Sequence, residues 1–378
     1  MQFVFSQLDS WCFREARPMG ALGGTAIETL FPPPVSTLVG ACRTLMGDSQ
    51  HINWRDFAAG KLPEMSALLG NGSHTGELQF DYPYLRVKQH GIWQRLYPVP
   101  ALLAREDKRL LAMALGNEPV LCDLGLVRLP ELAKGVFAAK PIENSWLTEQ
   151  GLACLMAGKL PKLEHFIAVE QLMQREVRLG IARDNSKATV QKGALYQTEH
   201  VRLKEQAEFE QIELVVPVTG IPEPIAQLLI QQSWQVRLGG EGRLAHVMVE
   251  HDTTRHETRQ HTASTGILYF TSPADLQHWL PAQFAAIQTD GVTQWQGKLG
   301  DVTVTIEAFC AAKAVKLGGW DSALRQPKPV KALVPAGACY FVQCTQPDKL
   351  TELLKQYRFG EQAGFGLGAC LYLPRINA

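Results

Sequence analysis

A chain of 378 residues that is 46% hydrophobic and 20% charged is long enough for two domains with their own cores and too apolar for a disordered or fibrous protein. Its 37 basic residues balance 37 acidic ones, which excludes a uniformly cationic coat and leaves local basic patches as the way to meet a phosphate-bearing partner. The 8 cysteines, at 12, 42, 122, 154, 310, 339, 344 and 370, contain no C-x-x-C pair, so reduced thiols are expected in place of a zinc framework or a disulfide scaffold.

The chain opens on MQFVFSQLDSW, without a basic n-region or a long apolar h-region, and no apolar run reaches the roughly 18 residues of a membrane span. A cytoplasmic protein without a membrane partner is therefore expected. Residues 2–8, QFVFSQL, read as a first strand. In FREARPMGALGGTAIETLFPPP, Arg14 and Arg17 sit in a glycine-rich loop able to wrap phosphates, and the prolines stiffen its exit. A packing loop whose arginines pair with Glu15 or Glu28 is the alternative. Leu38, Val39, Cys42, Leu45 and Met46 recur at helical spacing and predict a helix over 36–46, which carries Arg43 and stops at Gly47. Residues 48–165 hold short apolar runs and turn signals, and read as an insertion of unassigned structure. Strands resume at 174–184 and 194–203, joined by an extended loop that includes Lys187 and Lys192.

Beyond residue 210 the chain repeats itself. IELVVPVTGIPEPIAQLLIQQSWQVRLGGEGRLAHVMVE (212–250) aligns without a gap on GACYFVQCTQPDKLTELLKQYRFGEQAGFGLGACLYLPR (337–375), at a constant offset of 125. Val215 and Val216 fall on Tyr340 and Phe341, Pro222 on Pro347, and Gly239 on Gly364. Ile225, Leu228 and Leu229 fall on Leu350, Leu353 and Leu354, the same helical stripe. Each copy reads strand, helix, glycine-rich loop, strand. Ahead of the second copy, GILYFT (266–271) reads as a strand and SPADLQHWL (272–280) as a helix, with Ser272 as N-cap and Pro273 at its first position. DVTVTIEAF (301–309) alternates as a half-buried strand does. Residues 264–375 thus predict β-α-β-β-α-β, the ferredoxin-like order, and 2–250 the same order stretched by the insertion.

Several motifs are imitations. The loops LGGEGR (238–243) and AGFGLG (363–368) follow a helix and open a strand, whereas a dinucleotide loop follows a strand and opens a helix. They are either tight turns or places where sugar-phosphate can approach bare backbone. GVTQWQGKL (291–299) has one residue too many between its glycines for a phosphate loop and Leu299 where a hydroxyl belongs. His246, His251, His256 and His261 recur every fifth residue, which rotates them apart on a helix and suits a polar linker better than a metal site. Neither a nucleophile elbow nor a distinctive acid pair is present. Basic residues cluster at 175–204 and at 313–331, where aromatic Tyr196 and Trp320 are interleaved as in single-strand nucleic-acid surfaces.

LDSWCFREARPMG and LFPPPVSTLVGACRTLMGD, with RLGIARDNSKATVQKGALYQTEHVRL (178–203), LGGEGR, KLGGWDSALRQPKPVKALVPAGACYFV (316–342) and GFGLG (364–368), resemble the third-subunit family of the Cmr complex, the type III-B CRISPR effector. The resemblance spans nearly the whole chain and is weakest over 48–165. It implies an α+β RNA-binding protein of the RAMP superfamily with two ferredoxin-like (RRM-like) domains, 1–252 carrying the insertion and 262–378. It implies a non-catalytic subunit, without cofactor or metal, that binds the 5′ handle of the CRISPR RNA beside the large polymerase-like subunit and backbone RAMP subunits. The RNA contacts that chemistry favours are Arg14, Arg17 and Arg43, then Arg183, Lys187 and Lys192. Gly239, Gly240, Gly242 and Arg243 of the first glycine loop join them, with Gly364, Gly366 and Gly368 of the second. Lys313, Lys316, Gly318, Gly319, Trp320 and Lys328 complete the set. The rival expectation is a metal-independent endoribonuclease processing CRISPR precursor RNA, with His200 or His246 as general base.

Overall fold

Phe3 and Phe5 point to one side of the first strand and Val4 and Ser6 to the other, as strand geometry requires. The computed structural model describes residues 1–14, 26–184, 186–187, 189–205, 208–252, 261–276, 278–321 and 326–376; the side chains at 26–27, 182–183, 190–195 and 320–321 lie outside that description. The chain divides into two units, Met1–Trp93 with Glu170–Thr253 and Lys316–Lys331, and Gln94–Val169 with Thr254–Val315 and Ala332–Ala378. The contiguous domains expected from the sequence are therefore interleaved along the chain.

The first unit contains, in order, β1 (Gln2–Gln7), α1 (Val35–Ser49), β2 (Tyr84–Gln89), β3 (Met173–Asp184), β4 (Thr189–Leu203), β5 (Gln211–Thr219), α2 (Glu223–Ile230), β6 (Trp234–Arg237) and β7 (Leu244–Glu250). Its main sheet is antiparallel in the order β2-β5-β1-β7-β6. Phe3 faces Val216 and Val249, and Phe5 faces Leu214 and Val247, all buried. On the opposite face Arg86 bonds Glu213 at 2.7 Å and Glu250 at 2.9 Å, with its guanidinium 4.4 Å from the Trp93 ring centroid.

Three expectations change here. The second strand of this sheet, β2, comes from inside the segment read as an insertion. β3 and β4, expected to belong to the domain's sheet, instead form a long hairpin in a small sheet of their own with Ala26–Ile27. Gly47 does not end α1, which runs on to Ser49; a Cβ there would stand 2.5 Å from the Trp54 ring, so the glycine admits that indole.

The second unit contains β8 (Thr265–Phe270), β9 (Ala285–Thr289), β10 (Val292–Leu299), β11 (Val302–Cys310), β12 (Cys339–Cys344), α3 (Pro347–Leu354) and β13 (Cys370–Leu373). They make an antiparallel sheet ordered β9-β10-β11-β12-β8-β13. The neighbours β11-β12-β8-β13 repeat β2-β5-β1-β7 of the first unit, and α3 stands where α2 does. Burial repeats as well: Ile225 and Leu229 are buried on α2, and Leu350 and Leu354 on α3.

Both faces of the second sheet are covered. Leu268, Phe270, Tyr340 and Val342 pack with Leu350, Leu354 and Phe359 on one side. Ile267, Tyr269, Cys339 and Phe341 pack on the other with Tyr97, Leu102, Leu103, Leu147, Leu152 and Leu155, all from the expected insertion. Burial on both faces explains why 266–270 is a continuous apolar run. The helix expected over 272–280 is absent among its described residues. Pro273 lacks an N–H, and the groups that would close a helix are engaged elsewhere: Ala274 exchanges both backbone bonds with Val334, and the Asp275 carbonyl accepts the Glu361 N–H. Among the described residues, no helix is long and apolar enough to cross a membrane.

Candidate nucleic-acid interface

Segments distant in sequence meet beside β7 in the first unit. Residues 11–14 are held by bridges from Trp11 to Val201 and from Arg14 to Thr29. The Trp11 ring is fully buried, and its N–H donates to the Leu244 carbonyl at 3.2 Å. Residues 238–243 pack against this segment. They form a hairpin turn between β6 and β7, closed by the Leu238 N–H to the Arg243 carbonyl at 2.8 Å, where the sequence pattern suggested a loop following a helix. Gly239, Glu241 and Gly242 all have positive φ, as tight hairpin turns demand. The Gly240 N–H donates to the Cys12 carbonyl at 2.7 Å, and a side chain at Gly239 would overlap the same oxygen. Gly242 faces open space. Arg14 reaches across to Glu241 at 3.1 Å.

Asp9, in the bend after β1, gathers three guanidinium groups: Arg243 at 2.7 Å, Arg202 at 2.8 Å and Arg178 at 3.5 Å. Arg202 and Arg178 also bond Glu176, at 2.5 and 3.0 Å. The Arg202 hydrogen bond holds the Asp9 carboxyl below its ordinary range, and bonds from Arg202 and Arg178 bring Glu176 down to about 2. Behind them His200 is only 1% exposed. Its Nδ1 lies 3.1 Å from the Ser10 hydroxyl and its Nε2 3.2 Å from that of Thr198. Burial, then the charges of Arg178 and Arg243, push its pKa down, which favours the neutral ring. Both ring nitrogens of His200 are thus engaged by hydroxyl groups of the protein. His246 lies half-buried on β7, opposite Ser6 and Gln235.

A second group surrounds the turn at 70–76. Arg43 donates to the carbonyls of Asn71 at 2.7 Å and His74 at 2.5 Å, and burial pushes its pKa down to about 10. Lys328 donates through Nζ to the Gly72 carbonyl at 3.1 Å and through its N–H to that of Gly319 at 2.9 Å. Gly318 is half-buried nearby in sequence, and Lys316 is exposed. In the second unit, Gly366 and Gly368 are buried, with their N–H groups bonded to the carbonyls of Ala363 and Pro273, both at 2.8 Å. A side chain at Gly368 would overlap the Phe359 backbone. The Gly366 and Gly368 N–H groups are thus engaged within the turn's own packing. Gly364 is half-buried in the same turn; Lys313 is exposed in this unit, and Lys187 at the β3–β4 tip of the first. Arg17 lies outside the described residues, as do the side chains of Arg183, Lys192 and Trp320. Among the described residues, no group of three or more His, Cys, Asp or Glu is arranged to hold a metal ion.

A family model described as CRISPR-associated protein (Cas_Cmr3) matches residues 3–375. The chain belongs to that family. No curated protein matches it in sequence. Among solved structures, it is similar to a chain from the cryo-EM structure of the type III-B Cmr-beta bound to cognate target RNA and AMPPnP. The identity is 16% over 94% of this chain and 88% of that one, with a TM-score of 0.48. A chain of Cmr-beta bound to cognate target RNA is 15% identical over 94% and 89%, with a TM-score of 0.47. The CRISPR-associated protein Cas6 is 12% identical over 54% and 79%, at 0.24.

In this Cas_Cmr3 chain, Arg14, Gly239, Gly240, Gly242 and Arg243 come together as one surface. Sequence reasoning placed Arg178 and Arg202 in the basic cluster at 175–204 without choosing them as RNA contacts, and selected neither Asp9 nor Glu176. Strand parity held a signal for three of them: the register pairs Glu176 with His200 and Gln174 with Arg202, so Glu176, Arg178 and Arg202 share a face. Val177, Leu179 and Ile181 take the other face and are exposed. Asp9 carried no such signal, because its partners are brought to it only by the fold.

Proposed function

We propose that this chain is a non-catalytic, RNA-binding subunit of a type III-B CRISPR (Cmr) ribonucleoprotein. In that role it anchors the 5′ handle of the CRISPR RNA and bridges the large polymerase-like subunit and the backbone RAMP subunits. The family match over residues 3–375 carries the reading. The repeated strand order and paired helices α2 and α3 support taking the two units as ferredoxin-like RAMP domains. Half-exposed arginines from several elements offer phosphate the charge-assisted, two-pronged bonds in which guanidinium excels. The enclosure of His200 favours a binder over a nuclease.

The test is incubation of the purified full chain with labelled, handle-bearing single-stranded RNA in EDTA. Saturable binding with intact RNA is expected. A discrete cleavage product would replace this reading with the metal-independent endoribonuclease. Absence of RNA binding, and of RNA crosslinks to this chain inside the assembled complex, would leave a protein-bridging subunit.

A further inference from the structure

We propose that Asp9 is an internal counter-anion of the RNA site: it holds Arg178, Arg202 and Arg243 together until a phosphate of single-stranded RNA takes its place. This inference rests on the RNA-binding reading above. Three guanidinium groups converging on one carboxylate form an anion site already occupied by the protein's own anion. Arg178 and Arg202 share one face of the β3–β4 hairpin, whereas Arg243 comes from the turn before β7 and Asp9 from the bend after β1, so no local pattern requires the four to meet. The cluster is also reachable, since the Asp9 side chain is 47% exposed and those of Arg178, Arg202 and Arg243 are 31%, 38% and 25% exposed.

Ion pairs at such exposure are weak in water, and one anion can exchange for another there at little net cost. Arg43 provides the contrast: its partners are backbone carbonyls in a turn, which a phosphate cannot replace without unfolding that turn. Arg243 meets Asp9 through Nη1, and its Nε, like that of Arg43, is buried without an acceptor, so the exchange takes place at the Nη end. A phosphodiester carries the same unit charge as Asp9 on two anionic oxygens set at the tetrahedral angle, so the exchange preserves both the charge and the number of strong acceptors. Glu176 keeps Arg178 and Arg202 oriented while Asp9 moves away.

Binding of a short fluorescein-labelled RNA bearing the handle, followed by anisotropy at several salt concentrations, tests this on the full chain. Removing one negative charge about 4 Å from the incoming phosphate should tighten binding about fivefold at low salt for Asp9→Asn, and should steepen the logarithmic salt slope by about 0.7. Arg243→Gln should weaken binding, and adding it to Asp9→Asn should abolish the gain. Unchanged or weaker binding by a folded Asp9→Asn protein, or a gain that survives Arg243→Gln, overturns the proposal. Should Asp9→Asn fail to fold, Arg243→Gln alone decides, since wild-type affinity in that variant removes the site. Failure of the wild-type chain to bind any RNA would instead overturn the underlying reading, and this inference with it.

Discussion

Arg43 and Arg243 carry the same charge in different surroundings. Arg43 is partly desolvated and bonded to two turn carbonyls, an arrangement that fixes a loop; Arg243 is bonded to a carboxylate at the surface. The sequence put Arg43 on a helix and Arg243 in a glycine loop and marked both as RNA contacts, because composition reports charge but not its partner. The partners also set an acid response. Glu176 has a folded pKa of about 2, below its ordinary 4.5, so its stabilising contribution is complete above pH 4.5 and disappears as pH falls towards 2. His200 is shifted below its ordinary 6.5, so the unfolded chain takes up a proton first and stability begins to fall once pH drops below 6.5. Melting temperature plotted against pH should therefore decline through both windows. Glu176→Gln should flatten the lower window and leave the upper one; an unchanged slope between pH 4.5 and 2 would show that Arg178 and Arg202 do not stabilise the carboxylate.

At the scale of elements, the repeated helix was legible because its stripe is local. Ile225, Leu228 and Leu229 match Leu350, Leu353 and Leu354, and in both helices the first and third of each set are buried while the second is half-buried. Leu229→Ala and Leu354→Ala, each from a nearly fully buried position, should each cost about 2–5 kcal/mol in urea unfolding. A loss in one and not in the other would break the equivalence of the two copies. The segment 272–280 was not legible for the complementary reason. Its cap and proline signals are those of a helix, but its backbone finds partners at Val334 and Glu361, remote in sequence. The first glycine loop was misread in its context because β6, which precedes it, has only four residues, and an alternation as short as Trp-Gln-Val-Arg does not stand out beside the helical stripe before it.

At the scale of the whole molecule, the segment read as an insertion is divided between the units. Its first part supplies β2 to one sheet, and its later part covers the face of the other that carries Tyr269 and Phe341. The Tyr269 hydroxyl donates to the Pro98 carbonyl at 2.5 Å inside that covering layer. A chain with residues 100–165 replaced by a short flexible linker should therefore expose an apolar sheet face, bind a hydrophobic dye and lose cooperative unfolding. Retention of a sharp transition would show the segment to be a dispensable appendage. The sequence by itself determined the duplication and the helices α1, α2 and α3, because each is written in spacing along a continuous stretch; its motifs, scattered from end to end, carried the resemblance to the family. Only the tertiary structure decided which face of a sheet the intervening chain covers, and which acid neutralises which arginine. Those outcomes depend on groups up to hundreds of residues apart, such as Asp9 and Arg243, 234 residues apart in sequence, whose meeting no local pattern encodes.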